Sequence, residues 1–180
     1  MIPPNAEAVG FPRAFPMRTD MQLGFKKVHP DAKIPTYAHE GDAGMDVYAV
    51  EDVDLSPFTP TLVKTGLIAE IPDGYEIQVR PRSGLALKEG ITVWNGPGTV
   101  DQNFRGEIGV ILLWAPRSYI NMSAVTEVFS PIDWFLTKQI HKGDRIAQFV
   151  VAPVTRVEPV EISEVSETER GKGGFGSTGV

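Results

Sequence analysis

Cysteine is absent from this 180-residue chain and histidine occurs only three times. The first absence excludes disulfides, thiolate zinc sites and cysteine nucleophiles together. The second, with the three residues scattered, argues against an all-histidine metal site. Any metal is therefore expected on oxygen. Positive charge is scarce too: 17 Lys and Arg stand against 23 Asp and Glu, a formal net charge of −6. The broad basic face that duplex binding uses to release counterions is missing, and no direct nucleic-acid contact is expected. A local basic pocket for a small anion remains compatible. No apolar run approaches bilayer length, and the opening MIPPNAEAVG lacks the basic flank and apolar core of a secretory signal. A cytoplasmic protein with no membrane contact is expected. Fifteen prolines and eighteen glycines argue against long helices. What is present is length enough for one domain with a full core and appended arms.

Residues 1–22 are proline-rich and aperiodic, either a loose arm or a strap across the body, and the body is expected over 23–160. LGFKKV, from Leu23, reads as a short strand. In GDAGMDVYAV, residues 41–50, alternation places Met45, Val47 and Ala49 on one face and Asp46 and Tyr48 on the other. Asp46 is then either a solvated strand acid or a functional carboxylate. Val53 to Ile71 reads as short strands between prolines, and Asp73-Gly74 signals a hairpin turn ahead of the alternating Tyr75 to Val79. PRSGLALKEGI, residues 81–91, predicts the one short helix, beginning at Ser83-Gly84 and stopped by Gly90. It is either an ordinary Ser-capped helix or a phosphate site, because a helix start presents free N–H groups and Arg82 adds a guanidinium fork.

The densest stretch is NGPGTVDQNFRGE, Asn95 to Glu107. Pro97 fixes its own backbone and Gly98 tolerates φ > 0, which predicts a sharp turn before Thr99-Val100 delivers Asp101. Phe104 follows, Arg105 and Glu107 bring an ion pair, and the apolar run Ile108 to Trp114 predicts a hairpin with Asp101 at its mouth and a buried second strand. Alone, this would be a hairpin with a solvated acid. Residues 115–142 carry two prolines and the cluster Val128-Phe129, Ile132 and Trp134-Phe135-Leu136, too aromatic for a purely solvated loop. KGDRIAQFVVAPV, residues 142–154, predicts a Gly-Asp turn and a buried strand, with Asp144 and Arg145 either a structural pair or part of a site. From Val157 the pattern turns acidic and the packed body ends. The tail RGKGGFGSTGV is either floppy or wraps phosphates with successive N–H groups, at a large cost in ordering entropy. It is not a P-loop: no strand leads in, no helix follows, and the Lys-Ser/Thr pair is absent.

Taken in order, A-G-M-D (43–46), R-S-G-L-A (82–86), P-G-T-V-D (97–101), G-D-R-I-A-Q (143–148) and R-G-K-G-G-F-G-S-T-G (170–179) resemble the five motifs of the trimeric all-β dUTPases. One such motif is a weak signal; five in order are a strong one. The resemblance implies an all-β, jelly-roll-type distorted β-barrel with one short helix and a flexible C-terminal arm over 161–180. It implies a homotrimer with shared active sites that hydrolyses dUTP to dUMP and pyrophosphate by water attack at the α-phosphate. That reaction keeps uracil out of DNA and supplies dUMP for thymidylate synthesis. By the same resemblance Asp101 is the base, and Asp46 holds Mg2+ through water. Arg82, Ser83, Gly84, Gln148, Arg170, Gly176, Ser177 and Thr178 contact the phosphates. Asn95, Gly98, Thr99 and Val100 read uracil, Phe175 stacks on it, and Phe104, commonly Tyr in the family, packs on the deoxyribose. In the family the counterparts of Asp144 and Arg145 mostly serve structure.

Family members usually join the third and fourth motifs by a shorter hairpin, so about half of 115–142 reads as an insertion. It resembles that of phage-type dUTPases, some of which act as ligands of repressors. Tyr119, Phe129 and Trp134 then either anchor a protein partner or pack on the chain's own barrel. A regulatory protein on the dUTPase fold is thus one alternative. Another is a dCTP deaminase relative, although that family carries a glutamate in its third motif.

Overall fold

The computed structural model describes residues 21–116 and 137–174. The stretch 117–136, with Tyr119, Phe129 and Trp134, lies outside the described residues, as do 1–20 and 175–180. Among the described residues there are eleven short strands and one helix: β1 (Gly24–Lys27), β2 (Met45–Tyr48), β3 (Val53–Leu55), β4 (Thr61–Lys64), β5 (Leu67–Glu70), β6 (Tyr75–Arg80), α1 (Ser83–Glu89), β7 (Ile91–Val93), β8 (Gly98–Val100), β9 (Gly109–Trp114), β10 (Lys138–Ile140) and β11 (Arg145–Pro153). All strand pairs are antiparallel. They form a four-stranded sheet β2-β11-β6-β8, a three-stranded sheet β4-β9-β7, and the pairs β1-β5 and β3-β10. The architecture is the expected all-β, jelly-roll-type barrel with a single short helix. After Pro153, residues 154–174 contain no strand or helix, and Val157, Val160, Ile162 and Val165 are all exposed.

Alternation fills the core. Met45, Val47, Ile77, Val79 and Val100 point inward from the larger sheet, and Val63, Ile91, Val93, Val110 and Leu112 from the smaller, in one continuous cluster. Phe149 is fully buried within it and stacks on Phe25 with ring centroids 6.3 Å apart. The only buried polar residue among those described, Thr65, donates its hydroxyl to the Ile108 carbonyl at 2.6 Å.

Two expected hairpins are not formed. β8 pairs with β6, whereas β9 pairs with β4 and β7. Thr99-Val100 and the run to Trp114 thus belong to different sheets, and their apolar faces meet across the core instead of lying side by side. Likewise the Asp73-Gly74 turn is present, with Gly74 at φ 78° and the Tyr75 N–H donating to the Pro72 carbonyl. It nevertheless joins β5, which pairs with β1, to β6 in the other sheet. Strands adjacent in sequence here cross from one sheet to the other.

The helix starts at Ser83, as the sequence predicts, but it is not Ser-capped. Arg82, in extended backbone, is the N-cap and makes no side-chain cap, so Ser83 is the first helical residue rather than the capping one. Gly90 ends the helix in the left-handed region at φ 69°, as the sequence predicts. The Trp114 indole N–H then satisfies the Glu89 carbonyl at 3.1 Å.

Glycine positions separate two kinds of constraint. Gly74 has φ 78° and open space where a Cβ would stand. Gly66, at φ 68°, would bring a Cβ to 2.7 Å from the His29 Cβ and 2.9 Å from the Ala32 Cβ. Gly74→Ala is expected to cost only the left-handed strain, about 1 kcal/mol. Gly66→Ala adds overpacking, for a total of about 2–4 kcal/mol. Urea midpoints of the two variants compared with the parent check the ordering.

Candidate active site

Three of the sequence motifs converge on one cavity of ≈ 290 Å³, lined by Asp46 from β2, Gly44 just before it, Arg82, Ser83 and Gly84 at the start of α1, and Arg145 and Gln148 from β11. The β11 backbone explains the convergence. Its pairing with β2 shifts register between Arg145 and Ala147, and both Ile146 and Ala147 are buried. A bulge of this kind resets the alternation. Gln148 then lies on the outer face opposite Asp46, while Phe149 enters the core.

The Asp46 carboxylate is the electrostatic centre of the cavity. Its Oδ1 stands 3.2 Å from Arg82 Nε and its Oδ2 3.0 Å from Arg145 Nη1, with the Asp46 side chain 16% exposed. Arg82 also donates from Nη1 to the Arg145 carbonyl at 3.1 Å. Gln148 donates from Nε2 to the Pro81 carbonyl at 2.9 Å. A Cβ at Gly44 would collide with the Gln148 amide, whereas one at Gly84 would meet nothing within 4 Å. The wall is thus packed on the strand side and open at the helix start, where N–H groups of the first turn lack intrahelical acceptors.

Asp144 and Arg145 do not pair with each other. Asp144 Oδ2 accepts the His141 N–H at 2.9 Å and closes the turn in which Gly143 has φ 88°. Arg145 instead turns to Asp46 and lines the cavity. Sequence reasoning left this arginine open between a structural pair with Asp144 and a part in a site, because its direction depends on the bulge beside it, which no residue-type pattern announces.

Asp101 lies elsewhere in the chain's own structure. β2 and β8 are opposite edges of the four-stranded sheet, three inter-strand spacings of ~4.8 Å apart, or about 14 Å. Val100 pairs with Ile77 near the start of β6, while Arg82 follows the end of that strand. Asp101 is exposed and lines a second cavity of ≈ 260 Å³ with Gly74, Tyr75, Asn103 and Arg156. Among the described residues no cation pairs with its carboxylate.

The stretch before Asp101 turns at Trp94 to Pro97, where the Gly96 N–H donates to the Val93 carbonyl at 3.1 Å and Gly96-Pro97 is cis. Gly98 is not at positive φ, contrary to expectation. It is required by space instead: a Cβ would lie 3.0 Å from Asn95 Nδ2 and 3.4 Å from the Val79 Cβ. Asn95 and Thr99 are exposed and Val100 is buried. After Asp101, the Phe104 N–H donates to the Asp101 carbonyl at 3.0 Å. Arg105 Nη1 donates to the carbonyls of Gln102 and Phe104 at 2.5 and 3.0 Å. The expected Arg105–Glu107 ion pair is therefore not made. The turn's own carbonyls take the guanidinium, and Glu107 Oε1 accepts the Gly66 N–H at 2.9 Å.

In the tail, Arg170 is exposed, donates from Nε to the Gly173 carbonyl at 2.9 Å, and does not line the cavity around Asp46. Phe175, Gly176, Ser177 and Thr178 lie outside the described residues. Among the described residues no group of three or more His, Asp and Glu could hold a metal by itself. A magnesium ion carried in with phosphates and waters needs only a carboxylate such as Asp46 at the rim, and the donor set fits that arrangement.

The fold is a jelly-roll-type all-β barrel with a carboxylate-arginine pocket beside a helix start. The dUTPase family model matches residues 30–128 and 136–179. The deoxyuridine 5′-triphosphate nucleotidohydrolase of a Picosynechococcus species is 51% identical over 159 residues, covering 88% of this chain and 99% of the relative. Among solved structures, the Staphylococcus bacteriophage 80alpha dUTPase with dUpNHpp superposes with a TM-score of 0.73 at 30% identity, covering 88% of this chain and 99% of that one. A mutant dUTPase from phage phi11 of S. aureus, described with a structural Mg(II) ion, superposes with a TM-score of 0.66 at 26% identity over 80% of this chain and 98% of its own. The chain belongs to the dUTPase family. Among its described residues no helix is long and apolar enough to cross a membrane.

Two guanidiniums now neutralised by Asp46 become available when its charge is removed. Asp46→Asn is expected to bind pyrophosphate about 3- to 10-fold more tightly in the presence of EDTA, as measured by calorimetry. Weaker binding would show that holding the arginines in place outweighs their release.

Proposed function

We propose that this dUTPase hydrolyses dUTP to dUMP and pyrophosphate by water attack at the α-phosphate, with Asp101 as general base and each site assembled from more than one copy of the chain. The observation that carries the second half is the placement of Asp101 at the opposite edge and opposite end of the sheet from Asp46, Arg82 and Gln148. A water between base and α-phosphate must lie within hydrogen-bond reach of both, about 3 Å from each. One chain does not offer that distance; a second copy presenting its Asp101 edge to the first copy's cavity does. A homotrimer with shared sites follows the same logic, the arm from Arg170 onward closing over nucleotide held by a neighbour.

Within such a site Arg82, the N–H groups of Ser83 and Gly84, and the Gln148 amide hold the phosphate oxygens, joined by Arg170, Gly176, Ser177 and Thr178 from the arm. Asn95 and the backbone of Gly98, Thr99 and Val100 read the uracil edge. On this reading their close approach to the base leaves no room for a thymine methyl. Phe104 packs on the deoxyribose and Phe175 on the base. Asp101 takes the proton from the attacking water, a role suited to a carboxylate that no cation among the described residues pairs with. Magnesium bound with the triphosphate supplies charge neutralisation, and Asp46 holds its waters. Removing dUTP keeps uracil out of DNA and the dUMP formed feeds thymidylate synthesis, in keeping with a cytoplasmic enzyme. The division into an arm over 1–22, a body over 23–160 and a closing arm over 161–180 belongs to this reading. Nothing in the described residues favours a protein partner at 115–142.

Asp101→Asn is expected to keep nucleotide binding and lose about 10²- to 10⁴-fold in kcat, the usual worth of a positioned base. Binding of a non-hydrolysable dUTP analogue beside a pyrophosphate-release assay checks both halves. Asp101→Asn and Arg82→Gln, each nearly inactive alone, are expected to regain about a quarter of wild-type turnover when fully exchanged in equal amounts. That is the fraction of interfaces at which random assortment leaves both residues intact. No recovery in verified mixed oligomers would place both residues in one chain's site.

A further inference from the structure

The turn that carries Asp101 also carries Phe104, and the position of that ring depends on the residue two places later. A Cβ at Gly106 would lie 2.6 Å from Phe104 Cζ, 3.0 Å from Cε2 and 3.4 Å from Cε1. The ring therefore rests edge-on against the Gly106 backbone, in space that no other residue leaves open. Gly106 is not at positive φ, so the glycine is not needed for backbone conformation.

The seat is rigid on both sides. Before it, the Arg105 guanidinium braces the carbonyls of Gln102 and Phe104, and the Phe104 N–H is held by Asp101. After it, Glu107 is tied to the Gly66 N–H at 2.9 Å, and the Ile108 N–H donates to the Leu67 carbonyl at 2.8 Å. The ring itself is 45% exposed and bears no hydroxyl with which to anchor its far end. If volume is added at residue 106, the backbone stays and the ring moves outward.

We propose that Gly106, braced by Arg105, is a specificity-determining position: its missing side chain sets where the Phe104 ring stands, and hence how closely the ring closes on C2′ of the sugar and rejects a 2′-hydroxyl. The inference rests on the reading that Phe104 packs on the deoxyribose. Relieving a 2.6 Å contact to an ordinary carbon–carbon separation moves the ring by about 1 Å, and a displacement of that size is enough to change transition-state fit.

The test is the ratio of kcat/KM for dUTP to that for UTP in Gly106→Ala, Phe104→Ala and the double variant, with melting curves to confirm folding. Gly106→Ala is expected to lower the ratio about tenfold and to have no further effect in the Phe104→Ala background, since the residue it displaces is then gone. Arg105→Gln, which frees the same turn without adding volume, is expected to lower the ratio in the same direction and stands in should the alanine variant fail to fold. If Phe104→Ala leaves the ratio unchanged, the sugar-packing reading of Phe104 is wrong. If Phe104→Ala lowers the ratio while Gly106→Ala and Arg105→Gln do not, or if Gly106→Ala has the same effect with and without the ring, the seat proposed at Gly106 is overturned.

Discussion

The carboxylate of Asp46, held between two guanidiniums, is the interaction on which the phosphate cavity depends. Its partners come from the connection into α1 and from the first residue of β11, so one side chain ties together stretches that lie 36 and 99 residues away in sequence, the differences between positions 46 and 82 and between 46 and 145. An exposed pair of this kind contributes little on its own. Here the arginines are shared and partly shielded, and Arg82 is further fixed by the Arg145 carbonyl. The pocket is therefore organised before any ligand arrives. Its positive charge is stored against Asp46, in a form that an incoming anion can compete for.

The sheet order turns that local arrangement into a division of labour. The edge strand β2 and the bulged β11 carry the carboxylate, guanidinium and amide of the cavity, and the opposite edge strand β8 leads into Asp101, the base of the proposed reaction. Strand edges are where unpaired backbone and protruding turns occur, and such edges are natural places for two copies to meet. On the proposed reading, half of the chemistry lies at each edge, and association is part of the reaction rather than an accessory to it.

Much of this was legible in the sequence. Alternation located the inward faces of β2 and β6, Gly90 marked the helix end, and Asp73-Gly74 marked its turn, because each is a local property of residue type. Strand pairing was not legible. The proximity of Thr99-Val100 to the run ending at Trp114 suggests a hairpin, yet burial of two apolar faces is better served by opposed sheets, which is a property of the whole core. Gly98 and Gly106 show a second limit. Glycine in sequence suggests backbone freedom, while at both positions the structure uses it for the space beside a neighbour's side chain. Arg145 and Arg105 show a third. Long cationic side chains choose partners by what the backbone leaves unsatisfied, and the nearest acid in sequence was the chosen partner of neither.

The register shift in β11 has a consequence for how this chain can change over evolutionary time. Elsewhere in a barrel, an inserted or lost residue can be absorbed in a surface turn with modest thermodynamic effect. Between Arg145 and Gln148 it cannot, because the phase of the strand beyond the bulge decides which residues face outward. One residue fewer there would turn Phe149 toward the cavity and the Gln148 amide into the hydrocarbon interior. Length in this short segment therefore constrains the site as strictly as the identity of the side chains it aims.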